Sequence, residues 1–321
     1  MPDIDDDDFQ LPPVTPPAWI DGDPNPPAIQ GRSIDGEQAL AACLDDLDRR
    51  KNGEIVGLPW PTEWPGLARC VGPIEPGTLS VIASRPSVGK TMFGMHLLRG
   101  LAAKGHRVLY VTRELSTTRL IRRHFAAYGA DMYRLRSGQL VQKDVDAITD
   151  YQRDARGWNT YYDDHSHTID DINTEVILTQ PEVIIVDYLQ RLAYDTEKEY
   201  AAITRIVNEL QDLTLATNVP VVCLSQLSRP EKGKENKPPS MSDTRGSGAV
   251  EERAAVLVLL HRYWDTEVEE RNGKEYRVAT RPTEDGYFIV AKNADGEAGR
   301  IIKVRFDGAR MRILEKIPGL S

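Results

Sequence analysis

The stretch Ser84-Arg-Pro-Ser-Val-Gly-Lys-Thr91 ends in residues able to hold a polyphosphate. Gly89 lets backbone N–H groups approach a phosphate closely, Lys90 can reach the β- and γ-phosphate oxygens, and the Thr91 hydroxyl can ligate magnesium. The rule for such loops is G-x-x-x-x-G-K-[ST], and Ser84 stands at the first glycine. That position needs a small residue more than it needs glycine. The run Ser84, Arg85, Pro86, Ser87, Val88, Gly89, Lys90 and Thr91 is therefore read as a cradle for a nucleoside triphosphate such as ATP with Mg2+.

Two carboxylates would complete that chemistry. Asp187 closes the apolar run "EVIIVD", a position from which an acid can bind the hydration shell of magnesium alongside Thr91. Glu114, in "VTRELST", follows another apolar run and is the candidate base that orients the attacking water. The plainer alternatives are a turn or cap aspartate and a helix-capping glutamate, and the company of the phosphate loop argues against both. His165 and His167 in "YYDDHSHTIDD" suggest a metal site but are read as a polar turn, and Trp60 and Trp64 as packing of the entry segment.

These residues need a scaffold, and the chain supplies alternating patterns. "GTLSVIAS", "RVLYVT", "PEVIIVDYL", "VPVVCLSQ" and "RAAVLVLLHR" read as short buried strands, and "TMFGMHLLRGLAAKG", "STTRLIRRHFAAYG" and "AAITRIVNELQDLTLATN" as helices. Strands alternating with helices predict an α/β fold with a mainly parallel sheet covered on both faces. A β meander closes the chain over "YFIVAKNADGEAGRIIKVRFDGARMRIL", after a polar hairpin near Thr266 to Lys274. Arg229 to Gly248 has no apolar period and is expected as a long loop.

Composition narrows the setting. The chain has 321 residues with a formal net charge of -9, so any polyanion must be held by a local basic patch. Three cysteines without metal-like spacing point to reduced thiols. The N-terminus "MPDIDDDDFQ" is acidic where a signal peptide would be basic then apolar, and no apolar run reaches membrane length, so a cytoplasmic location without membrane contact is expected. Eight prolines and seven aspartates precede Gln30, and residues 1–36 are expected as a disordered acidic tail. Residues 37–52 read as a helix with Leu40, Leu44 and Leu47 on one stripe, and 53–321 as the main domain.

"ASRPSVGKT", "VTRELST", "RLRSGQL", "VIIVDYLQRL", "NVPVVCLSQLSR" and "DTRGSGAVEE" occur together in an order that resembles the RecA-like motor domain of DnaB-type replicative helicases. The resemblance runs from about Gly36 to near the C-terminus and lacks the family's N-terminal helical domain, as in short forms from phages or mobile elements. It implies a homo-hexameric ring that hydrolyses ATP at subunit interfaces, translocates on single-stranded DNA and unwinds duplex during replication, with a loader, a primase or another replisome protein as partner.

The resemblance also implies residue roles. The helix at 37–52 corresponds to a linker helix that docks on the adjacent subunit, and Gln226 to the sensor of the γ-phosphate. Arg229, Lys232, Lys234, Arg245, Gly246 and Gly248 correspond to DNA contacts, in line with the local density of cations and glycine N–H groups. Lys292 corresponds to a lysine that reaches the neighbour's γ-phosphate, but Ala294 stands where the family places an arginine, leaving Lys292 or Arg300 to serve. The sequence carries two competing readings: a RecA-like recombination-mediator ATPase, and a non-motor, nucleotide-gated DNA-binding ring with weakened hydrolysis.

Overall fold

The computed structural model describes residues 35–52, 57–187, 189, 199–230, 234–244, 247–271 and 274–316. The chain divides into two compact units, Met1–Glu54 and Ile55–Ser321. In the first, helix α1 spans Gly36–Lys51; Asp35 caps it by accepting from the Gln38 N–H, and Arg49, Arg50 and Lys51 occupy its last turn. Leu40, Leu44 and Leu47 are more than half exposed along one stripe.

The second unit is built on β1 (Leu79–Ser84), β2 (Val108–Thr112), β3 (Thr160–Asp163), β4 (Val183–Asp187), β5 (Val221–Gln226), β6 (Val256–Arg271), β7 (Lys274–Asn293), β8 (Ile301–Asp307) and β9 (Arg312–Glu315). These form one sheet in the order β3-β2-β4-β5-β1-β6-β7-β8-β9. Pairing is parallel from β3 to β6 and antiparallel from β6 to β9, which is the expected parallel sheet with a closing meander. The hairpin is longer than the sequence suggests: β6 and β7 stay paired from Val256 and Asn293 out to Arg271 and Lys274.

Helices cover both faces. The strands bury every residue of β1, β2 and β4, so each strand feeds both layers of core. Ile82, Tyr110, Ile185 and Val222 meet the residues of α2 (Pro65–Val71), α3 (Lys90–Ala102) and α4 (Thr117–Ala127). Val81, Leu109, Ile184 and Cys223 meet those of α7 (Ile169–Thr179), α8 (Glu199–Thr217) and α9 (Ser247–Arg253). Between α4 and α7 in the chain, α5 (Met132–Ser137) and α6 (Gln142–Ala155) are tied by the buried Asp144, which accepts from the Asp131 and Val141 N–H groups and pairs with Arg134 at 2.5 Å.

The two ends of this unit are fastened together. Trp64 is fully buried, stacks on Phe93 with centroids 4.4 Å apart, and donates its indole N–H to the Ile313 carbonyl at 2.7 Å. Glu315 accepts from the N–H groups of Gly66 and Leu67 at 2.6 and 2.7 Å, occupying the free donors at the start of α2. Trp60 is likewise buried, so both tryptophans pack the entry segment. Truncating Trp64 to alanine removes this contact and is expected to destabilise the unit by about 3–5 kcal/mol, read from denaturant titration followed by circular dichroism, with Trp64→Phe losing markedly less.

Candidate nucleotide site

The phosphate loop connects β1 to α3. Ser84 is fully buried, keeps a negative φ and donates its hydroxyl to the Arg85 carbonyl at 3.0 Å, so this position asks for no glycine. The left-handed backbone falls instead at Ser87 (φ 62°) and Gly89 (φ 132°). A Cβ at Gly89 would also stand 3.3 Å from the Phe306 ring, which leaves this turn to glycine on two counts. Gly89 caps α3 without a side chain, so the first N–H groups of the helix are directed at whatever the loop holds.

Strand register gathers the acids there. Asp187 ends β4 opposite Thr112 of β2, and Glu114 lies in the bend two residues past Thr112, exposed. Asp187 is fully buried; Tyr110 donates its phenol O–H to one carboxylate oxygen at 2.9 Å, while the other is buried without a hydrogen-bond partner. Burial pushes the Asp187 pKa up, against the Tyr110 hydrogen bond and the nearby Thr91 hydroxyl, the Glu114 charge adds to the rise, and the Lys90 charge opposes it. Burial lowers the Lys90 pKa, against the pull of Asp187 and Glu114. The same burial and the Asp187 charge hold the Tyr110 phenol protonated.

Lys90, Thr91, Asp187 and Glu114 thus feel one another at the carboxyl ends of three strands. An orphaned carboxylate oxygen beside a hydroxyl is what a hard divalent cation with its water shell would occupy, so the residues present fit magnesium. Tyr110 carries no sequence signal, because an apolar strand with one tyrosine is unremarkable. Its partner is 77 residues away in the chain.

Gln226 ends β5 directly beside Ser84. The next segment is pinned more firmly than a long loop suggests. Leu227 donates its N–H to the Ser84 carbonyl at 2.8 Å and bridges Thr244, and Ser228 donates to the Asp243 carbonyl at 3.1 Å. Asn236 exchanges two hydrogen bonds with the Trp264 backbone, and Met241–Asp243 forms a 3-10 turn. Arg229, Lys234, Lys237 and Gly248 are found around it, all four exposed. Lys232, Arg245 and Gly246 lie outside the described residues.

Lys292 stands on β7 opposite Leu257, and its ammonium donates to the Glu251 and Glu252 carbonyls at 2.5 and 3.2 Å, at the C-terminal end of α9. Ala294 donates its backbone N–H to the Ala255 carbonyl, and Arg300 pairs with Glu297 at 2.5 Å in solvent. His167 makes a 2.8 Å contact with Arg113 and donates its backbone N–H to Asp171, and no cluster of metal ligands occurs among the described residues. A further feature lies one residue beyond Glu114: Leu115, Arg119, Arg122, Arg123, Met132 and Arg136 line a cavity of about 370 Å³. The cations of "TTRLIRRH" are its signal in the sequence.

Among known proteins, residues 60–315 match the family described as DnaB-like helicase C terminal domain. The replicative DNA helicase DnaB of Geobacillus stearothermophilus is 30% identical over 276 residues, covering 82% of this chain and 58% of the relative. A probable plasmid replicative DNA helicase of Chlamydia trachomatis is 31% identical over 194 residues, 58% of this chain and 43% of the relative. A solved DnaB-like replicative helicase, described with its interactions with primase, shares the fold with a TM-score of 0.70 at 22% identity, covering 88% of this chain and 67% of that one.

A cradle completed by its ligand should be stabilised by it. Magnesium with a non-hydrolysable ATP analogue at a hundred times its Kd is expected to stabilise the protein by about 2.7 kcal/mol, read as a rise in Tm by scanning fluorimetry. The rise should vanish in Lys90→Ala, shrink in Asp187→Asn, and shrink in the unchanged protein when a chelator removes magnesium.

Proposed function

Because the chain belongs to the DnaB-like helicase C-terminal domain family, we propose that it is the motor portion of a ring-forming, ATP-dependent DNA helicase acting in replication. The observation that carries this is the convergence of the phosphate loop, Asp187, Glu114 and Gln226 at the carboxyl ends of adjacent parallel strands. The chain spans about 58% of the length of the relative from Geobacillus stearothermophilus, so the activity proposed is that of the motor portion.

In this reading the N–H groups of the loop and the start of α3 bind the β- and γ-phosphates, and Lys90 neutralises them. Thr91 and Asp187 would hold magnesium, which when bound supplies charge neutralisation on the phosphates. Glu114, exposed at the rim, accepts the proton of the attacking water. Burial favours loss of the Lys90 charge in the empty site, and a polyphosphate restores the incentive to keep it. Gln226, sharing register with Ser84, reports the state of the γ-phosphate to the segment bearing Arg229, Lys234 and Lys237.

The ring reading is supported by α1, whose leucine stripe has no cover among the described residues of its own unit, and docking on a neighbouring copy would bury it. In the same ring Lys292 would leave the α9 carbonyls for the neighbour's phosphate. A second reading rests on a specific observation: Lys292 already has two carbonyl partners in its own chain and position 294 offers only a methyl group, which favours a nucleotide-gated ring with slow hydrolysis.

The decisive assay is strand displacement on a forked duplex with ATP. Unwinding that is lost in Glu114→Gln, with hydrolysis slowed by about 10²–10⁴-fold, supports the motor. Nucleotide-dependent DNA binding without turnover in the unchanged protein, with turnover gained in Ala294→Arg, supports the slow ring instead; annealing or branch migration without unwinding would favour the recombination class. Placing a charge on the stripe with Leu44→Asp is expected to shift the assembly from hexamer to smaller species in sedimentation velocity, while the Tm of the second unit stays unchanged.

A further inference from the structure

One residue of the phosphate loop has its side chain committed elsewhere. The Arg85 guanidinium donates from Nη1 to the carbonyls of Glu235 at 2.9 Å and Lys237 at 2.7 Å, and its Nη2 stands 3.9 Å from an Asp243 carboxylate oxygen. All three partners lie in the segment that follows Gln226, some 150 residues along the chain. Arg85 is buried, and its Nε has no partner; neither does Nε2 of the buried His261 close by, whose pKa burial and the Arg85 charge lower to about 4. Desolvation opposes the Arg85 charge, with Asp243 and Glu235 supporting it.

This is an expensive way to fix a loop. A planar fork with five donors on three nitrogens reaches two carbonyls through one nitrogen and faces a carboxylate through another, whereas an ammonium must gather every acceptor around a single nitrogen. Leaving Nε unmet in the interior means the network holds spare donor capacity, so it can trade one acceptor for another without first breaking a complete set. The backbone of Arg85 belongs to the phosphate cradle, accepting from the Val88 N–H, while its side chain belongs to the basic segment. With Ser84 holding Leu227, two consecutive residues of the cradle grip both the root and the middle of that segment.

We propose that Arg85 is a positioning residue that carries occupancy of the phosphate loop to residues 234–244 and so sets Lys234 and Lys237 against a nucleic-acid backbone. The inference rests on the nucleotide and DNA reading above and adds a mechanical link that bypasses Gln226. Closure of the loop around phosphate rotates the Arg85 backbone, and the fork drags the Glu235 and Lys237 carbonyls with it. Asn236, clamped on Trp264, is the pivot.

The test is hydrogen–deuterium exchange of the full chain with and without magnesium and a non-hydrolysable ATP analogue at saturation, in the unchanged protein, Arg85→Lys and Asp243→Asn. The unchanged protein is expected to show a several-fold change in exchange both at 84–91 and at 234–244. In Arg85→Lys the response at 234–244 collapses relative to that at 84–91; in Asp243→Asn, which keeps the cap on the Ser240 N–H, the response at 84–91 persists and that at 234–244 is reduced. A response at 234–244 that is missing from the unchanged protein, or is equal in Arg85→Lys, overturns the proposal. If Arg85→Lys does not fold, an undiminished response in Asp243→Asn overturns it. Anisotropy of a labelled oligodeoxythymidine separates the two readings: nucleotide should tighten binding by roughly tenfold in the unchanged protein and less than about twofold in Arg85→Lys. No DNA binding in the unchanged protein, with the exchange response intact, refutes the DNA assignment and leaves the link from Arg85 to 234–244 standing.

Discussion

Asp187 is a carboxylate taken out of water with only half of its hydrogen bonds met, and the site is organised around that deficit. Tyr110 satisfies one oxygen from within the core and Lys90 supplies the nearest positive charge. An apolar protein built for stability alone would gain by replacing such a group, since an uncompensated buried charge costs more than its partners return. Its retention makes sense only if something with positive charge and an ordered water shell arrives. The phosphate loop presents the opposite problem: the N–H groups at the start of α3, capped by no side chain, are a positive end awaiting an anion. The magnesium nucleotide proposed above would complete both.

Strand register makes this possible. The four site-bearing strand ends line up because β2, β4, β5 and β1 are parallel neighbours, so a loop leaving any one of them emerges on the same edge. The close approach of α3 to the sheet then brings Lys90 down to the carboxylate. A Cβ at Gly94 would meet Leu224 at 2.9 Å and the Tyr110 hydroxyl at 3.0 Å. Besides Gly89, the glycine that matters to the chemistry is therefore one helical turn into α3, where it leaves room for the Tyr110 O–H to reach Asp187.

What can be read from the chain alone follows from how local each signal is. Mostly apolar runs announce β1, β2, β4, β5 and the first part of β6 because strands buried on both faces carry few polar residues to confuse the pattern. The edge strand β3, "TYYD", alternates too weakly to be legible, and α5 to α7 are hidden by the polarity of their exposed faces. Local rules find Lys90, Asp187 and Glu114. They do not find Tyr110 with Asp187, Trp64 with Ile313 or Arg85 with Lys237, because those contacts are created by the order of strands and span 77, 249 and 152 residues. The long segment after Gln226 reads as unstructured for the same reason: its order comes from Arg85 and Trp264, not from its own composition.

The same geometry supports the proposal that the site is completed at a subunit boundary. Glu114 is exposed where Asp187 is sealed, so the side of the site from which water attacks is open in a single chain. A base that faces bulk solvent gains nothing from desolvation, and the charge that develops on the transferred phosphoryl group meets a high dielectric. A neighbouring copy seated on that side would exclude water and bring a cation at once, and the leucine stripe of α1 gives such a copy a reason to stay. Lys292 fits that arrangement as a movable donor: its present acceptors are the carbonyls that end α9, which water can satisfy when it departs. A guanidinium at position 294 would bring more charge-assisted hydrogen bonds to a phosphate; with alanine there, the proposed ring would depend for its rate on how readily one half-buried lysine changes partners.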